Sequence, residues 1–213
     1  ADTLEAGAGL CRRDVVEAVV REGPALIRSL TELGATFAHR DGDSEGLDLG
    51  LEGGHSRRRI VHSKDRTGQE IESTLLAAVA KHPEITVLEQ HLALDLWVGT
   101  AEVGRRCYGA SFLDQETGAT GLVRAEHTML STGGCGKVYR YTTNPDIATA
   151  DGVAMAARAG CSLGNMEMVQ FHPTCLHHSE AKSFLISEAV RGEGAVLRNL
   201  AGDEFMEGLH PLG

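Results

Sequence analysis

The chain has 213 residues and a formal net charge of −10, from 20 Lys and Arg against 30 Asp and Glu. This acidic balance argues against a protein that binds nucleic acid, because phosphate binding needs clustered positive charge. No uncharged apolar run approaches the roughly 20 residues that a transmembrane helix needs, so we expect no membrane association. The five cysteines are scattered without a C-x-x-C pair, which favours a reducing compartment and a cytoplasmic location.

The first third of the chain predicts two helices separated by a polar loop. Apolar residues recur at helical spacing over residues 12–33, where Pro24 is expected to kink or split the helix and Gly34 to end it. Residues 40–50 are rich in Asp, Gly and Ser and predict an exposed loop. Residues 67–81 carry the second apolar stripe and predict the second helix.

From residue 85 onward the apolar period changes from that of a helix to that of a strand. A helix is predicted near residues 152–159, with Asp151 at its start. The alternation indicates an α/β domain with a mostly parallel sheet and a small β-meander. From residue 166 the pattern is irregular, so we predict one domain over 1–165 and the start of a second over 166–213. The predicted strands lie at 85–88, 92–98, 106–113, 122–124 and 127–131, with 114–121 as a hairpin tip.

Two motifs are candidates for contact with a cofactor. The turn at Gly133 and Gly134 follows a predicted strand, which is where open α/β sheets bind ligands, although a tight turn without a ligand explains it equally well. Thr143 and Asn144 lead into the helix that begins at Asp151, where simple capping by Asp151 is the commoner arrangement. The G-x-G-x-x-G fingerprint of dinucleotide binding is absent from all 213 residues.

Two motifs carry side chains suited to a carboxylate ligand. Gln170 and His172 alternate on one face of an extended segment, so both can converge on one anion. Ser187 and Arg191 share a face of a short helix, and Glu188 is also a neighbour of Arg191. Arg191 can therefore hold a carboxylate at two points while Glu188 orients it. A surface salt bridge on that helix is the simpler explanation of the spacing.

A loop containing Glu52 is the last candidate. Glu52 precedes Gly53, Gly54 and His55, which indicates a loop pressed against a ligand or, more simply, an exposed hinge. The three arginines at 57–59 that follow are most simply a solvated basic patch. No metal site is predicted, because the His and Cys spacing matches no tetrahedral set. A hydrolase is poorly supported, because no nucleophile elbow is present.

Six motifs in order resemble the L-aspartate oxidases, which belong to the succinate dehydrogenase and fumarate reductase flavoprotein superfamily. The resemblance extends from about residue 2 to the last residue. The motifs are EGGHSRRRI, DRTGQEIE, TGGCGKVYRYTTNPD, DGVAMAARAG, QFHPT and EAVRGEGA.

The resemblance implies an enzyme that transfers a hydride from L-aspartate to FAD, forms iminoaspartate and is reoxidised by dioxygen or fumarate, in de novo NAD biosynthesis. It implies a partial Rossmann-like FAD-binding domain without its first βαβ unit, then the start of an α+β capping domain. We therefore expect an internal fragment that is inactive alone. An interaction with the next enzyme of NAD synthesis is also implied.

The resemblance assigns a role to each candidate residue. Glu52 is expected to face the amino group of the substrate, and the proton-transferring Arg of the family is expected beyond the end of this chain. The dicarboxylate pocket is expected to be lined by Gln170, His172, Ser187, Glu188 and Arg191. The contacts to FAD are expected from Leu92, Gly133, Gly134, Thr143, Asn144 and Asp151.

Two other functions stay open. One is a fumarate reductase or succinate dehydrogenase flavoprotein, and the other is a truncated fragment without catalytic activity. Glu52 favours the oxidase, because a carboxylate can pair with the ammonium group that aspartate has and succinate lacks. Three departures from the family pattern are Ala150 for the usual Gly, Ser187 for the usual Thr and Glu204 where Arg is common. We expect Ser187 to cost little and Glu204 to weaken local packing or an ion pair.

Overall fold

The computed structural model describes residues 1–43, 46–52, 55–64, 66–102, 104–172, 174–178, 180 and 184–209. The chain divides into two compact units. Unit 1 is built from Ala1–Ile85 and Ile186–Gly213, and unit 2 from Thr86–Leu185. The domain boundary predicted at residue 165 remains a prediction.

Unit 1 is mostly helical, with one short antiparallel strand pair. Its strands are β1 (Leu49–Gly50) and β2 (Ile60–Val61), which pair antiparallel. Its helices are α1 (Asp2–Ala6), α2 (Arg13–Leu33), α3 (Thr67–Val79) and α5 (Glu188–Gly192).

Both helices predicted in the first third of the chain are confirmed. Helix α2 runs through Pro24 without a break, so the predicted split is wrong: proline removes one backbone donor, and the rest of this long helix retains its hydrogen bonds. Gly34 ends α2 in the left-handed conformation with φ 110°. The N–H groups of Gly34 and Ala35 bond back to Thr31 and Leu30, the motif that glycine favours at helix ends.

The chain leaving α2 forms the small core of unit 1. Ala35 and Phe37 are buried. The backbone N–H of Thr36 donates to the Glu70 carboxylate of α3 over 2.7 Å, and Thr74 of α3 is also buried. This segment therefore joins the end of α2 to α3.

Unit 2 is built on an antiparallel meander followed by one helix and a small strand pair. The meander has the order β3-β4-β5, which confirms the predicted meander and α/β content. The elements are β3 (His91–Ala101), β4 (Gly104–Asp114), β5 (Thr120–Arg124), α4 (Asp151–Arg158), β6 (Cys175–Leu176) and β7 (Phe184–Leu185).

The predicted hairpin tip between β4 and β5 is organised by one carboxylate. Asp114 accepts the backbone N–H groups of Glu116 and Thr117 at 2.9 and 3.2 Å, and the Thr117 hydroxyl at 2.6 Å. These hydrogen bonds, that of the Thr117 hydroxyl first, lower the pKa of Asp114. An Asp at the start of a turn therefore fixes the register of the two strands.

The expectation of a mostly parallel sheet is wrong, because every strand pair in the described ranges is antiparallel. The strands predicted at 85–88 and 127–131 are also absent. Side chains at 85, 87 and 88 are about half exposed, and neither segment pairs with another strand in the described chain. Alternating apolar residues make a strand only when a partner strand supplies the ladder hydrogen bonds.

Helix α4 is fastened to β3 by an ion pair. Arg158 donates from Nε to Asp95 over 2.8 Å and from Nη2 to the Leu94 carbonyl over 3.3 Å. The hydrogen bond from Arg158 is the main reason that the pKa of Asp95 is lowered. Met155 on α4 and Ala148 before it are buried, so α4 contributes much of the unit 2 core.

None of the helices in the described residues combines the length and apolarity needed to cross a membrane.

Candidate functional site

Unit 1 contains a cavity of about 480 Å³ between the β1–β2 region, the start of α3 and α5. It brings together two predicted site residues, Glu52 and Ser187, which are separated by most of the chain. Charged groups of both signs line it, which suits a ligand that itself carries both signs. The polar side chains in its wall are Asp48, Glu52, Arg58, His62, Lys64, Thr67, Ser187 and Glu193.

Glycine 192 allows α5 to approach the Glu52 loop. A Cβ atom at Gly192 would lie 2.1 Å from the Leu51 carbonyl oxygen and 3.0 Å from the Glu52 Cα. Both are backbone atoms, which cannot move aside as a side chain can. The absence of a side chain at 192 therefore sets the distance between α5 and the backbone that carries Glu52.

Ser187 is the N-cap of α5. Its Oγ accepts the backbone N–H of Ala189 over 3.3 Å. Because the serine oxygen acts here as an acceptor, its own O–H can still donate to a ligand. Serine keeps the hydroxyl of the threonine that the family resemblance leads us to expect at this position.

Arg191 and Glu188 form the predicted pair on α5, with 3.3 Å between Nη2 and Oε1. About one third of the Arg191 side chain is exposed, yet its Nε is buried without a hydrogen-bond partner. A buried N–H without an acceptor costs about 1–3 kcal/mol. An anionic ligand at Arg191 would remove that cost.

All three arginines of the predicted solvated patch are exposed, and two of them also form ion pairs. Arg58 meets Glu193 at two points, 2.9 Å from Nη1 to Oε1 and 3.1 Å from Nη2 to Oε2. This hydrogen bond lowers the pKa of Glu193 and raises that of Arg58. Arg59 pairs with Asp2 over 2.8 Å. Long-range pairing of this kind leaves no signal in local spacing.

The loop between Glu52 and Arg58 is only partly described, since Gly53 and Gly54 lie outside the described residues. His55 carries a buried Nδ1 without a hydrogen-bond partner. Ser56 donates its backbone N–H and its hydroxyl to Asp2 over 2.8 and 2.9 Å. These bonds lower the pKa of Asp2, and they tie the loop to α1, an element that periodicity did not predict.

In unit 2 the predicted cofactor motifs come together around one glycine turn. Gly133 has φ 71°, and the space beside Gly133 and Gly134 is open. A Cβ at Gly136 would lie 2.4 Å from the Asn144 side chain, and one at Gly152 would lie 1.9 Å from the Thr132 hydroxyl. The turn is therefore packed against the start of α4 on one side and open on the other.

Asp151 is the first residue of α4, as predicted, but it does not cap the helix. The N-cap is Ala150, and no side chain accepts a hydrogen bond there. The capping explanation for Asp151 is therefore wrong. The first backbone N–H groups of α4 therefore have no side-chain acceptor at the N-cap. Thr143 lies next to Asn144 in the loop that leads into this helix.

Ala150 adopts a left-handed conformation with φ 66°, which explains why glycine is usual at this position in the family. For Ala150→Gly we expect the free energy of unfolding to rise by about 1 kcal/mol, because the Cβ strain is removed. Urea unfolding measures the change. The matched control is Ala154→Gly inside α4, which is expected to lower stability by about 1 kcal/mol. Equal destabilisation by both substitutions would contradict this assignment of strain.

Leu92, the remaining predicted cofactor contact, lies on β3 opposite Leu113. Strand β3 is at the edge of the meander, and the Arg158 ion pair joins it to α4. The assignment of Leu92 to FAD remains a prediction.

The second predicted substrate motif, Gln170 and His172, belongs to unit 2. The backbone N–H of Thr174 donates to His172 Nδ1 over 3.3 Å. Because a backbone N–H can only donate, Nδ1 is the acceptor in this contact, and Nε2 is the ring nitrogen that remains to donate. His172 can therefore donate from Nε2. Pro173 lies outside the described residues.

Among the described residues no group of three or more His, Cys, Asp or Glu side chains could hold a metal ion. Glu204 forms an ion pair with Arg198, and its expected effect on local packing remains a prediction.

Comparison with known proteins identifies one family. The FAD binding domain family matches residues 1–212. L-aspartate oxidase 1 of Ralstonia nicotianae is 53% identical over 209 residues, which cover 96% of this chain and 39% of that protein. L-aspartate oxidase of Pseudomonas aeruginosa is 48% identical over 221 residues, covering 100% of this chain and 41% of that protein. The chain thus spans about two fifths of these relatives.

Solved structures point to the same fold. A quinol fumarate reductase from E. coli superposes with a TM-score of 0.84 at 30% identity, covering 99% of this chain and 35% of that one. A quinol-fumarate reductase with menaquinol molecules superposes with a TM-score of 0.87 at 33% identity, again covering 99% and 35%. The expected FAD-binding fold and FAD as the cofactor are thereby confirmed.

Proposed function

The chain belongs to the FAD binding domain family, and on that premise we propose that it forms part of a flavoprotein that oxidises L-aspartate to iminoaspartate. When bound, FAD supplies a two-electron acceptor for the hydride that leaves the α-carbon. Because the chain spans about two fifths of its curated relatives, the activity is proposed for a protein of their full length that contains it.

The unit 1 cavity is the observation that carries this proposal. Glu52 and Ser187 line one cavity, and Arg191 on the same helix as Ser187 has a buried N–H without an acceptor. An amino diacid brings a cation for Glu52 and an anion for Arg191. A simple diacid would leave Glu52 facing a like charge, which is unfavourable in a partly dehydrated cavity.

We assign one task to each predicted substrate-binding residue, of which Glu52 and Ser187 line the cavity. Arg191 holds a substrate carboxylate at two points and Ser187 donates to it, while Glu188 keeps the guanidinium oriented through their 3.3 Å contact. Glu52 accepts the hydrogen bonds of the substrate ammonium. Gln170 and His172 are assigned to carboxylate binding from their motif, and His172 Nε2 is the ring nitrogen that remains to donate.

The unit 2 turn fits the cofactor. Gly133 and Gly134 leave the open side on which the backbone can approach a flat ligand. The uncapped start of α4 offers N–H groups to polar or anionic groups. Gly133, Gly134, Asn144 and Asp151 are therefore proposed to hold FAD, together with Thr143 and Leu92 from the motif resemblance.

A fumarate reductase is the second candidate, since both superposed structures are described as fumarate reductases. Glu52 argues against it, because neither succinate nor fumarate has an ammonium group. Reoxidation by dioxygen or fumarate, a role in NAD synthesis, a cytoplasmic location and contact with the next enzyme of that pathway belong to the proposal for the oxidase.

Glu52→Gln separates the two candidates. We expect kcat/KM for L-aspartate to fall about 100-fold, because a charge-assisted hydrogen bond to the ammonium is lost. Fumarate reduction, measured with a reduced dye, should not fall, because fumarate has no ammonium group and the substitution removes a like charge from the cavity. Steady-state kinetics of the full-length flavoprotein give both values.

The control for this experiment is Glu22→Gln on exposed α2, which removes the same charge away from the cavity. If Glu52→Gln reduced both reactions equally, the selective role of Glu52 would be refuted. If it left L-aspartate oxidation intact, the proposed function would lose its main support.

A further inference from the structure

Helix α5 carries Ser187, Glu188 and Arg191 but is only five residues long. So short a helix has no stability of its own and depends on tertiary contacts. Two contacts fasten its end to the loop that carries Glu52. One is the close approach of Gly192 to the Leu51 backbone, and the other is the ion pair between Glu193, the C-cap residue, and Arg58.

The Arg58–Glu193 ion pair is bonded at two points. Both nitrogen ends of the guanidinium meet separate carboxylate oxygens, at 2.9 and 3.1 Å. A pair bonded at two points restricts the relative orientation of the two side chains more than a single contact does. Both residues also line the cavity with Glu52 and Ser187.

The pair is half exposed, with 54% of the Arg58 side chain and 59% of the Glu193 side chain accessible. Exposed ion pairs add little to global stability. Their two-point geometry at the rim of the cavity is thus better explained by local positioning than by stability.

We propose that Arg58 and Glu193 are positioning residues, whose two-point ion pair fixes the distance between Glu52 and the Ser187–Arg191 face of α5. This inference rests on the proposed function, because it concerns how the cavity matches the separation of ammonium and carboxylate in an amino diacid. The pair acts through Glu52 on one side and α5 on the other.

The test is a double-mutant cycle in the full-length flavoprotein with Arg58→Gln, Glu193→Gln and both together. Each single variant should raise KM for L-aspartate about tenfold with a smaller change in kcat, because misplaced binding groups weaken capture of the substrate. The double variant should be no worse than either single one, because both break the same contact. Arg58→Lys should give an intermediate KM, since lysine cannot form the two-point contact.

Controls separate positioning from folding. Melting temperatures should stay near that of the wild type, as expected for an exposed pair. Arg57→Gln removes the same charge one residue away from an exposed side chain and should leave KM unchanged. Unchanged KM in the single variants, additive effects in the double variant, or an equal effect of Arg57→Gln would overturn the proposal.

The wild-type protein tests the proposed function separately. If it failed to oxidise L-aspartate, the proposed function would be wrong, and the cycle would then be measured on the Kd of fumarate from the change in flavin absorbance. Weaker fumarate binding with the same non-additive pattern would support the positioning role. Unchanged fumarate binding in all variants would overturn it.

Discussion

Arg191→Gln is expected to lower kcat/KM for L-aspartate about 1000-fold in the full-length flavoprotein, because a buried carboxylate of the substrate loses a charged, two-point partner. Arg191 already has a buried Nε without an acceptor and is oriented by Glu188. Glutamine keeps a donor but has neither the charge nor the fork. Arg191→Lys should recover only part of the loss, since lysine restores the charge alone.

Steady-state kinetics and the Kd of fumarate measure this effect. The matched control is Arg198→Gln in the same carboxyl-terminal segment, where the arginine pairs with Glu204. That control should retain kcat/KM within about twofold, as surface ion pairs contribute little. An Arg191→Gln variant with near-normal turnover would show that Arg191 forms only a surface salt bridge, the simpler explanation of its spacing from Glu188.

Gly109→Ala is expected to lower the free energy of unfolding by about 3 kcal/mol or more, through backbone strain and a clash that cannot relax. Gly109 lies in the middle of β4 with φ 142°, a conformation that side chains disfavour. A Cβ there would lie 1.8 Å from the Val123 carbonyl oxygen on β5. The clash is with backbone, so β5 would have to leave its register.

Urea unfolding and the yield of soluble flavoprotein measure this prediction. Gly164→Ala is the matched control in the same unit, because Gly164 has no positive φ and nothing lies within 4 Å of its Cβ position. It should change stability by less than about 0.5 kcal/mol. Similar stability of both variants would mean that β4 and β5 do not pack as described around Gly109.

Local signals in the sequence predict the helices and the meander but not all of the strands. Helix α2 has an apolar stripe and Gly34 at its end, and the β4–β5 hairpin has Asp114 at its turn, so each is specified by neighbouring residues. The segments at 85–88 and 127–131 have strand-like alternation without a partner in the described chain. Strand formation depends on non-local hydrogen bonds, which periodicity does not encode.

Some contacts of the candidate site could be predicted from local spacing, and others could not. The Glu188–Arg191 pair follows from a spacing of three on a helix. The Arg58–Glu193 pair joins residues 135 positions apart, and the contact of Gly192 with Leu51 is equally remote, so neither could be predicted from spacing. The sequence feature nearest to these contacts is Gly192, which predicts the end of a helix but not its close approach to another backbone segment.

Ala150 shows how a departure from a family pattern becomes interpretable once the backbone is known. In the sequence, Ala150 is only an alanine at a position where the family pattern has glycine. The structure places it at φ 66° as the N-cap of α4, where a glycine would avoid the strain. The structure likewise shows what the sequence could not at Glu204, whose carboxylate pairs with Arg198.

The role of Glu52 in selecting an amino diacid is tested by anaerobic mixing of the full-length flavoprotein with L-aspartate, followed by the loss of flavin absorbance. We expect L-aspartate to bleach the flavin and succinate at the same concentration to do so far more slowly, because only L-aspartate has an ammonium group for Glu52. Rapid bleaching by succinate with none by L-aspartate would contradict this expectation.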